Sequence, residues 1–492
     1  MGIEVLNSLP SACEVIVVGG GGSGLAAAVS AAETGARVVV LEKNPELGGS
    51  TRWSVGSVTA SGTPHQRRAG ITDSTEAHFE DLGKMDGALV ARDNPTLRRL
   101  LTENVPATFA WLRGMGVEFH GPMEEPPHRV ARMHIVLPNS KAYIYHLARR
   151  ARRLGVDIRP SAHVRRILVE GRRATGVEIE GPSGTHIMRA GRAIVVAGGD
   201  YSGNARMKAE LIDPLLGAVP AVNPTATGDC QRMVEQIGGK IVNGDLALGP
   251  VLRFVRPPKR KLYERIPPHR LLTMAMRFAM THAPGGLIRP FIMRFMTTVL
   301  APEMGLFRDG AVLIGSRGER LPFEGTTPGK ALAATADNRG FILLGEDLAA
   351  RYAAWPHFVS TAPGVAYAYL PDYRRTRPDL CHRGADVAAI AGALGADAAI
   401  LGETIAKTGL KGPYHALGPL QALVVYTDGG VMVSERLEVM HGDGVAFAGL
   451  YAAGSTGQGG VLLEGHGHHL GWAFTSGRIA GRHAALHQTG AS

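Results

Sequence analysis

Val15-Ile16-Val17-Val18-Gly19-Gly20-Gly21-Gly22-Ser23-Gly24-Leu25-Ala26-Ala27-Ala28, followed by Val38-Val39-Val40-Leu41-Glu42-Lys43, is the stretch that decides the fold. The β-branched run at its start reads as a buried strand, and the alanine-rich run after the glycines reads as a helix packed close against it. Gly19 permits the tight bend between the two. Gly21 lets the backbone approach a pyrophosphate without a Cβ in the way, and Gly24 lets helix and strand touch. Gly22 and Ser23 open the helix, whose unpaired N–H groups and positive dipole end favour a phosphate. Glu42 falls at the end of the second strand, where an acidic side chain accepts hydrogen bonds from an adenosine ribose, and Lys43 lies beside it. A glycine pattern alone is weak evidence. Strand, glycines, helix, strand and acid in that order specify an α/β fold with a Rossmann-like dinucleotide site.

Gly48-Gly49-Ser50-Thr51 adds a second flexible turn with two hydroxyls, where NAD dehydrogenases have no such element, and so implies a larger dinucleotide. Arg192-Ala193-Ile194-Val195-Val196-Ala197-Gly198-Gly199 is another buried strand ending in a glycine pair, and Gly449-Leu450-Tyr451-Ala452-Ala453-Gly454-Ser455 is a third. This combination resembles the FAD-binding flavoproteins of the fumarate reductase and 3-ketosteroid dehydrogenase superfamily. The likeness is strongest at residues 13–60, 190–203 and 445–482. It implies FAD as cofactor, held by a Rossmann-like domain with an inserted α+β substrate-capping domain. The parts expected are 1–244 and 413–492 for the FAD-binding domain and 245–412 for the cap. By the same resemblance, Ala162-His163-Val164 contacts adenine, Gly454-Ser455 approaches the ribityl chain, and the turn leading to His469-Leu470 lies beside the isoalloxazine. Family members commonly carry an acid where this chain has Ser455.

Composition agrees. A chain of 492 residues with 45% hydrophobic content can bury a large core and divide into more than one domain. Its three cysteines, Cys13, Cys230 and Cys381, form no CxxC pair, so neither a disulfide framework nor a zinc or iron–sulfur site is expected, and a reducing cytoplasm fits. No secretory signal and no apolar run long enough to span a bilayer is visible. Lys and Arg exceed Asp and Glu by 10 in formal charge. Arg149-Arg150-Ala151-Arg152-Arg153 closes a helix expected from about Ser140 and reads as a solvated face; without interleaved aromatics it is no nucleic-acid site. The second basic cluster runs from Arg253 through Lys259-Arg260-Lys261 into two methionine-rich segments, 271–280 and 287–296. That insertion, 253–296, suits a lid over an apolar substrate, a subunit interface, or an anchor in a lipid headgroup layer.

The remaining middle segment predicts a hairpin at Gly310–Leu321 turning at Ser316-Arg317-Gly318, a strand at Gly340–Leu344, and helices at Asp347–Tyr352, Ala385–Leu394 and Ala396–Lys407. The chain is expected to return to the FAD-binding domain around Pro413–Gly430.

In the family it resembles, chemistry is hydride transfer between the flavin and a carbon next to an electron-withdrawing group, with a proton moved at the neighbouring carbon. The cap arginine of fumarate reductases and the tyrosine of ketosteroid dehydrogenases have no counterpart in Arg320-Leu321-Pro322-Phe323-Glu324-Gly325. The substrate-carboxylate arginine is also missing from Gly459–Trp472. Gly467 keeps the backbone N–H that such enzymes offer to a ketone oxygen. His466 and His468 in the same turn can exchange a proton near neutral pH. They are alternatively structural, and a metal is not expected, Glu464 being the only further local ligand. Tyr426, in Tyr426-Thr427-Asp428-Gly429-Gly430, occupies the position of a substrate-binding histidine, and His415 lies where the chain re-enters the domain. The expected reaction is dehydrogenation of a C–C bond next to a ketone in an apolar, cyclic substrate, with a quinone or partner redox protein taking the electrons. Reduction of an activated C=C bond by the same residues is the alternative, and a flavin-binding protein without turnover is the alternative of another class. The expected location is cytoplasmic, with contact to a membrane surface through 253–296.

Overall fold

In the computed structural model of the protein, residues 9–181, 184–257, 266–362 and 366–488 are described. Their centre is an eight-stranded sheet in the order Glu438–Met440, Ala446–Ala452, Arg173–Gly181, Gly184–Val196, Ala12–Val18, Val38–Leu41, Asp157–Arg159, with His163–Glu170 paired onto Arg173–Gly181. Ala12–Val18 pairs in parallel with Val38–Leu41 and with the C-terminal half of Gly184–Val196, which in turn pairs in parallel with Ala446–Ala452. These are the three apolar runs read from the sequence, buried on both faces as a parallel sheet requires. The N-terminal half of Gly184–Val196 turns to antiparallel pairing with Arg173–Gly181.

Helix Gly22–Glu33 covers one face, and the C-terminal helix His468–Leu486 packs directly on it. The contact is backbone to backbone. A Cβ on Gly477 would lie 2.3 Å from the Ser23 carbonyl oxygen and one on Gly481 2.1 Å from that of Ala27. Two glycines one helical turn apart therefore set the interhelical distance, which places the start of the C-terminal helix near the dinucleotide turn.

A second, five-stranded sheet has the order Val251–Phe254, Tyr414–Leu423, Gly340–Gly345, Val312–Gly315, with Cys381–Gly384 also on Tyr414–Leu423. Its core of Leu252, Phe254, Leu313, Ile342, Leu344, Tyr373 and Leu417 is separate from that of the first sheet. Strand Gly340–Gly345 and helices Glu346–Arg351, Val387–Leu394 and Ala398–Thr408 lie where the sequence predicts them. The hairpin is reduced to Val312–Gly315 with a bridge from Ile314 to Arg320. Strand Tyr414–Leu423 is hydrogen-bonded into the second sheet, so the stretch expected to re-enter the FAD-binding domain from residue 413 is still part of the other sheet. Helix Lys141–Arg153 ends in the arginine cluster as expected, with Arg149, Arg152 and Arg153 exposed and Arg150 paired to Glu33. Lys259, Arg260, Lys261, Leu262 and Tyr263 lie outside the described residues. The two methionine-rich helices span Arg270–His282 and Gly285–Val299. Among the described residues no helix is long and apolar enough to cross a membrane.

Candidate functional site

A cavity of about 950 Å³ opens between the two sheets. On the side of the first sheet it is lined by Gly19, Gly21, Gly22, Ser23, Glu42, Lys43, Gly49, Ser50, Thr51, His163, Val164, Ala197, Gly198, Gly199, Ser455, His469 and Leu470. The structure thus brings together nearly all the residues read as a nucleotide site. The glycines divide by cause. A Cβ on Gly24 would meet the Gly19 carbonyl oxygen at 1.9 Å, so Gly24 serves helix–strand contact and does not face the cavity. Gly454, also outside the lining, has φ +64° and would press a Cβ onto the Ser23 hydroxyl at 2.5 Å. Gly21 is different: the nearest atoms to a Cβ there are 3.9 Å away. The protein's own packing does not demand glycine at that position; the cavity does. Gly22 N–H donates to the Thr51 hydroxyl at 3.2 Å, which pins the second glycine turn against the first. The Glu42 carboxylate accepts from Gly20 N–H at 2.7 Å and from Asn44 N–H at 2.8 Å, so its orientation is fixed before any ribose arrives. Lys43 and His163 converge on Asp229, at 2.8 and 3.5 Å.

The rest of the cavity, from the start of the C-terminal helix to the second sheet, holds the chemistry. Gly467 caps the C-terminal helix with φ +90°, where a Cβ would lie 2.6 Å from Thr59 N, so only glycine makes this turn. The Thr59 hydroxyl donates to the His466 carbonyl at 2.7 Å. The Glu125 carboxylate accepts both the backbone N–H of His466 at 2.8 Å and its Nδ1 at 2.5 Å. Because a carboxylate only accepts, Nδ1 carries hydrogen, and Nε2 is the atom that exchanges a proton. The hydrogen bond that His466 donates to Glu125 holds the His466 pKa above the usual histidine value. Tyr426 packs its ring against His469 with centroids 4.0 Å apart and the planes tilted by 42°, and burial, then the charges of Asp428 and Glu464, raise its pKa, so the phenol stays a donor. Arg253, on strand Val251–Phe254, lines the cavity and loses charge stability to burial and Arg256, yet a guanidinium remains a cation. The Arg256 guanidinium sits over the Trp53 ring at 4.5 Å. Phe254, Leu300, Leu423 and Val425 make the rest of this region mainly apolar.

Comparison with known proteins settles the family. A family model described as "FAD binding domain" matches residues 14–267 and 268–463. The chain belongs to this family of FAD-binding flavoproteins. It is 26% identical to the NADH:fumarate oxidoreductase of Klebsiella pneumoniae over 98% of its own length, and spans about half, 49%, of that protein. It is 25% identical to the vinyl phenol reductase of Lactiplantibacillus plantarum over 96% of both chains. It is also 25% identical to the 3-oxosteroid 1-dehydrogenase of Rhodococcus opacus over 51% of its length and 56% of that protein. Among solved structures, the open conformation of a flavocytochrome c3 fumarate reductase superposes with a TM-score of 0.74 at 22% identity, covering 98% of this chain and 79% of that one. The family model and these relatives make FAD the cofactor of the flavoprotein, and the relatives are named for fumarate, vinyl phenol and 3-oxosteroid chemistry. The open space at Gly21, the fixed Glu42 and the helix N-terminus at Gly22 and Ser23 fit FAD.

Two residues read as catalytic lie elsewhere in the flavoprotein. His415 is in the second sheet, 2.8 Å from Glu346 and 3.2 Å from Arg374, and does not line the cavity. The reason is the strand Tyr414–Leu423, which the second sheet claims. His468 is fully buried behind the turn, donating Nδ1–H to the Glu464 carbonyl at 2.7 Å, with its pKa lowered to about 3 by burial. It belongs to a cluster with His78 and His128 whose ligand atoms lie within 4.8 Å, a set the sequence spacing gave no hint of. Arg132, buried and paired with Asp73 and Asp81, donates to His128 Nδ1 at 2.9 Å. That places the hydrogen of His128 on Nε2, and burial favours the neutral form of all three rings, with His78 Nδ1 and His128 Nε2 lacking a hydrogen-bond partner among the described residues. Glu125 and Arg253 are the site residues that sequence reasoning missed. Arg253 was visible only as part of a basic cluster.

Proposed function

We propose that the flavoprotein reduces a C=C bond conjugated to a carbonyl or carboxylate group in a substrate with an apolar body. The observation that carries the reading is the contact of His466 Nδ1 with the Glu125 carboxylate at the cavity wall, which favours the protonated imidazole and so suits an acid more than a base. Bound FAD supplies hydride to one carbon of the double bond when reduced, and accepts it in the opposite direction. His466 gives the proton from Nε2 to the neighbouring carbon. The negative charge that develops on the substrate oxygen falls to Arg253 and the N–H groups at the start of the helix after Gly467, a fixed set of donors inside a mostly enclosed wall. Tyr426 orients the same oxygen or its neighbour through a hydroxyl that burial keeps protonated. Phe254, Leu300, Leu423 and Val425 take the apolar body.

Arg253 supplies the cation that Gly459–Trp472 lacks, and this widens the substrate class from ketones to enoates. Further support comes from two relatives matched over nearly the whole chain that are named as reductases, one of fumarate and one of vinyl phenol. A second reading, dehydrogenation next to a ketone, draws on the apolar wall and on the oxosteroid dehydrogenase matched over half the chain. Anaerobic mixing separates them. Chemically reduced protein should regain flavin absorbance with a conjugated enone or enoate; bleaching of oxidised protein by saturated cyclic ketones, with no such reoxidation, would reverse the direction. No response to either class would leave a flavin-binding protein without turnover.

A further inference from the structure

Helix Arg270–His282 presents an apolar stripe to the outside. Its inner face holds Thr273, 1% exposed, Arg277, whose guanidinium lies 3.3 Å from Glu118 on strand Glu118–Met123, and the half-buried Met276 and Met280. Its outward stripe, at the i, i+3, i+4 and i+7 spacing, is Leu271, Met274, Ala275 and Phe278, with Leu271 77% and Phe278 65% exposed. A helix docked on a soluble protein normally shows the reverse pattern, and a contiguous apolar stripe in water marks a contact surface.

Charge identifies what that surface meets. From residue 253 to 296 the sequence holds ten lysines and arginines and a single acid, Glu264; Arg253 and Arg256 serve the cavity wall, and Arg277 and Arg289 pair with Glu118 and Asp372, so the other six supply the charge for a surface. Arg270 and Arg294 are exposed, as are His269 and His282 at the two ends of the stripe. Apolar side chains rimmed by cations are complementary to a bilayer surface with anionic headgroups: the stripe enters the acyl boundary while arginines reach phosphates. A second copy of this chain would have to bring the same positive charge against itself. An exposed aromatic pair lies beside the neighbouring helix Gly285–Val299. Trp355 is 63% exposed and packs on Tyr367 at 4.9 Å, and Arg289 of helix Gly285–Val299 donates to the Tyr367 carbonyl at 3.3 Å.

We propose that helix Arg270–His282 seats the flavoprotein on an anionic lipid surface. The adjoining helix ends at the cavity, whose lining includes Thr298 and Leu300. Seating therefore places the rim of the site beside the phase in which an apolar substrate or electron carrier is dissolved. The proposal does not depend on the direction of the redox reaction.

The test is flotation of the full-length holoprotein with vesicles of phosphatidylcholine alone or containing phosphatidylglycerol, at low and at high salt. Binding to the anionic vesicles only, reversed by salt, is expected. The double variant Leu271→Ser/Phe278→Ser alters exposed positions and should keep its FAD and thermal midpoint while binding at least tenfold more weakly. Absence of flotation at low salt, or flotation indifferent to the double variant, overturns the proposal. So does a wild-type dimer in solution that the double variant converts to monomer, because a second copy would then cover the stripe.

Discussion

Replacing Glu125 by glutamine keeps the shape of the side chain and removes its charge, and the expected consequence follows from the contact it makes. The carboxylate accepts the His466 backbone N–H at 2.8 Å and Nδ1 at 2.5 Å. A glutamine oxygen can still accept the backbone N–H, so the turn at Gly465–Gly467 should hold. A hydrogen bond to a charged partner contributes about 1.5–3 kcal/mol. The His466 side chain is 49% exposed and that of Glu125 8%, and solvent screening brings the working figure down to about 1 kcal/mol. That corresponds to roughly a fivefold smaller fraction of imidazolium on the alkaline side of its titration. Because Glu125 raises the His466 pKa, its loss moves the alkaline limb of the reaction to lower pH. The assay is anaerobic reoxidation of reduced protein by a conjugated enone, followed by flavin absorbance across pH. Glu125→Gln should match wild type near pH ~6, where histidine is largely protonated with or without its partner, and be about fivefold slower near pH ~8. An unchanged pH profile, or the same loss at every pH, would refute the assignment of His466 as the acid positioned by Glu125.

Gly21→Val should fold with a near-normal thermal midpoint and lose FAD, since the nearest protein atoms to a Cβ lie 3.9 Å away and the side chain enters the cavity instead; full FAD content would mean the pyrophosphate lies elsewhere. Gly24→Ala, with its Cβ 1.9 Å from the Gly19 carbonyl oxygen, should instead destabilise the fold itself, which thermal denaturation reads directly. Tyr426→Phe removes only a hydroxyl and should slow turnover more than it shifts the melting temperature, and equal effects on both would make the tyrosine structural. Burial lowers the pKa of His134 and His468 to about 3 and that of His78 well below the usual value. All three are neutral in the fold and gain protons on unfolding, so their contribution is complete above about pH 6.5 and is lost as pH falls below it, by up to about 1.4 kcal/mol each near pH ~5.5. A melting temperature flat from neutral pH down to that value would contradict neutral burial of these three histidines.

The nucleotide half of the site was legible because its causes are local. A β-branched run, three glycines and an acid at a strand end each do their work within a few residues, so their order alone gives both the fold and the cradle. The histidine turn was legible as chemistry but not as geometry. His466 and His469 line the cavity and His468 does not, and what holds His466 is Glu125, 341 positions away in the chain, in a loop before Pro126-Pro127 with no local mark of function. His468 differs from it by two residues and ends buried, a distinction set by the packing of His78 and His128 around it. His415 misled because an alternating strand reads the same whichever sheet it joins. Arg253 belonged to a basic cluster whose members go to different places, one to the cavity, Arg277 to Glu118 and Arg289 to Asp372.

The central claim is that His466 delivers a proton to the carbon beside the electron-withdrawing group during C=C reduction. Its most direct test is to run reduced protein with a conjugated enone in deuterium oxide and determine where, and on which face, solvent deuterium enters the product. The account predicts a single stereoisomer labelled at the α-carbon with wild-type protein, and a rate lowered roughly 100-fold with loss of that stereochemical preference in His466→Ala that still holds FAD. The same isomer formed at the same rate by the variant would contradict it.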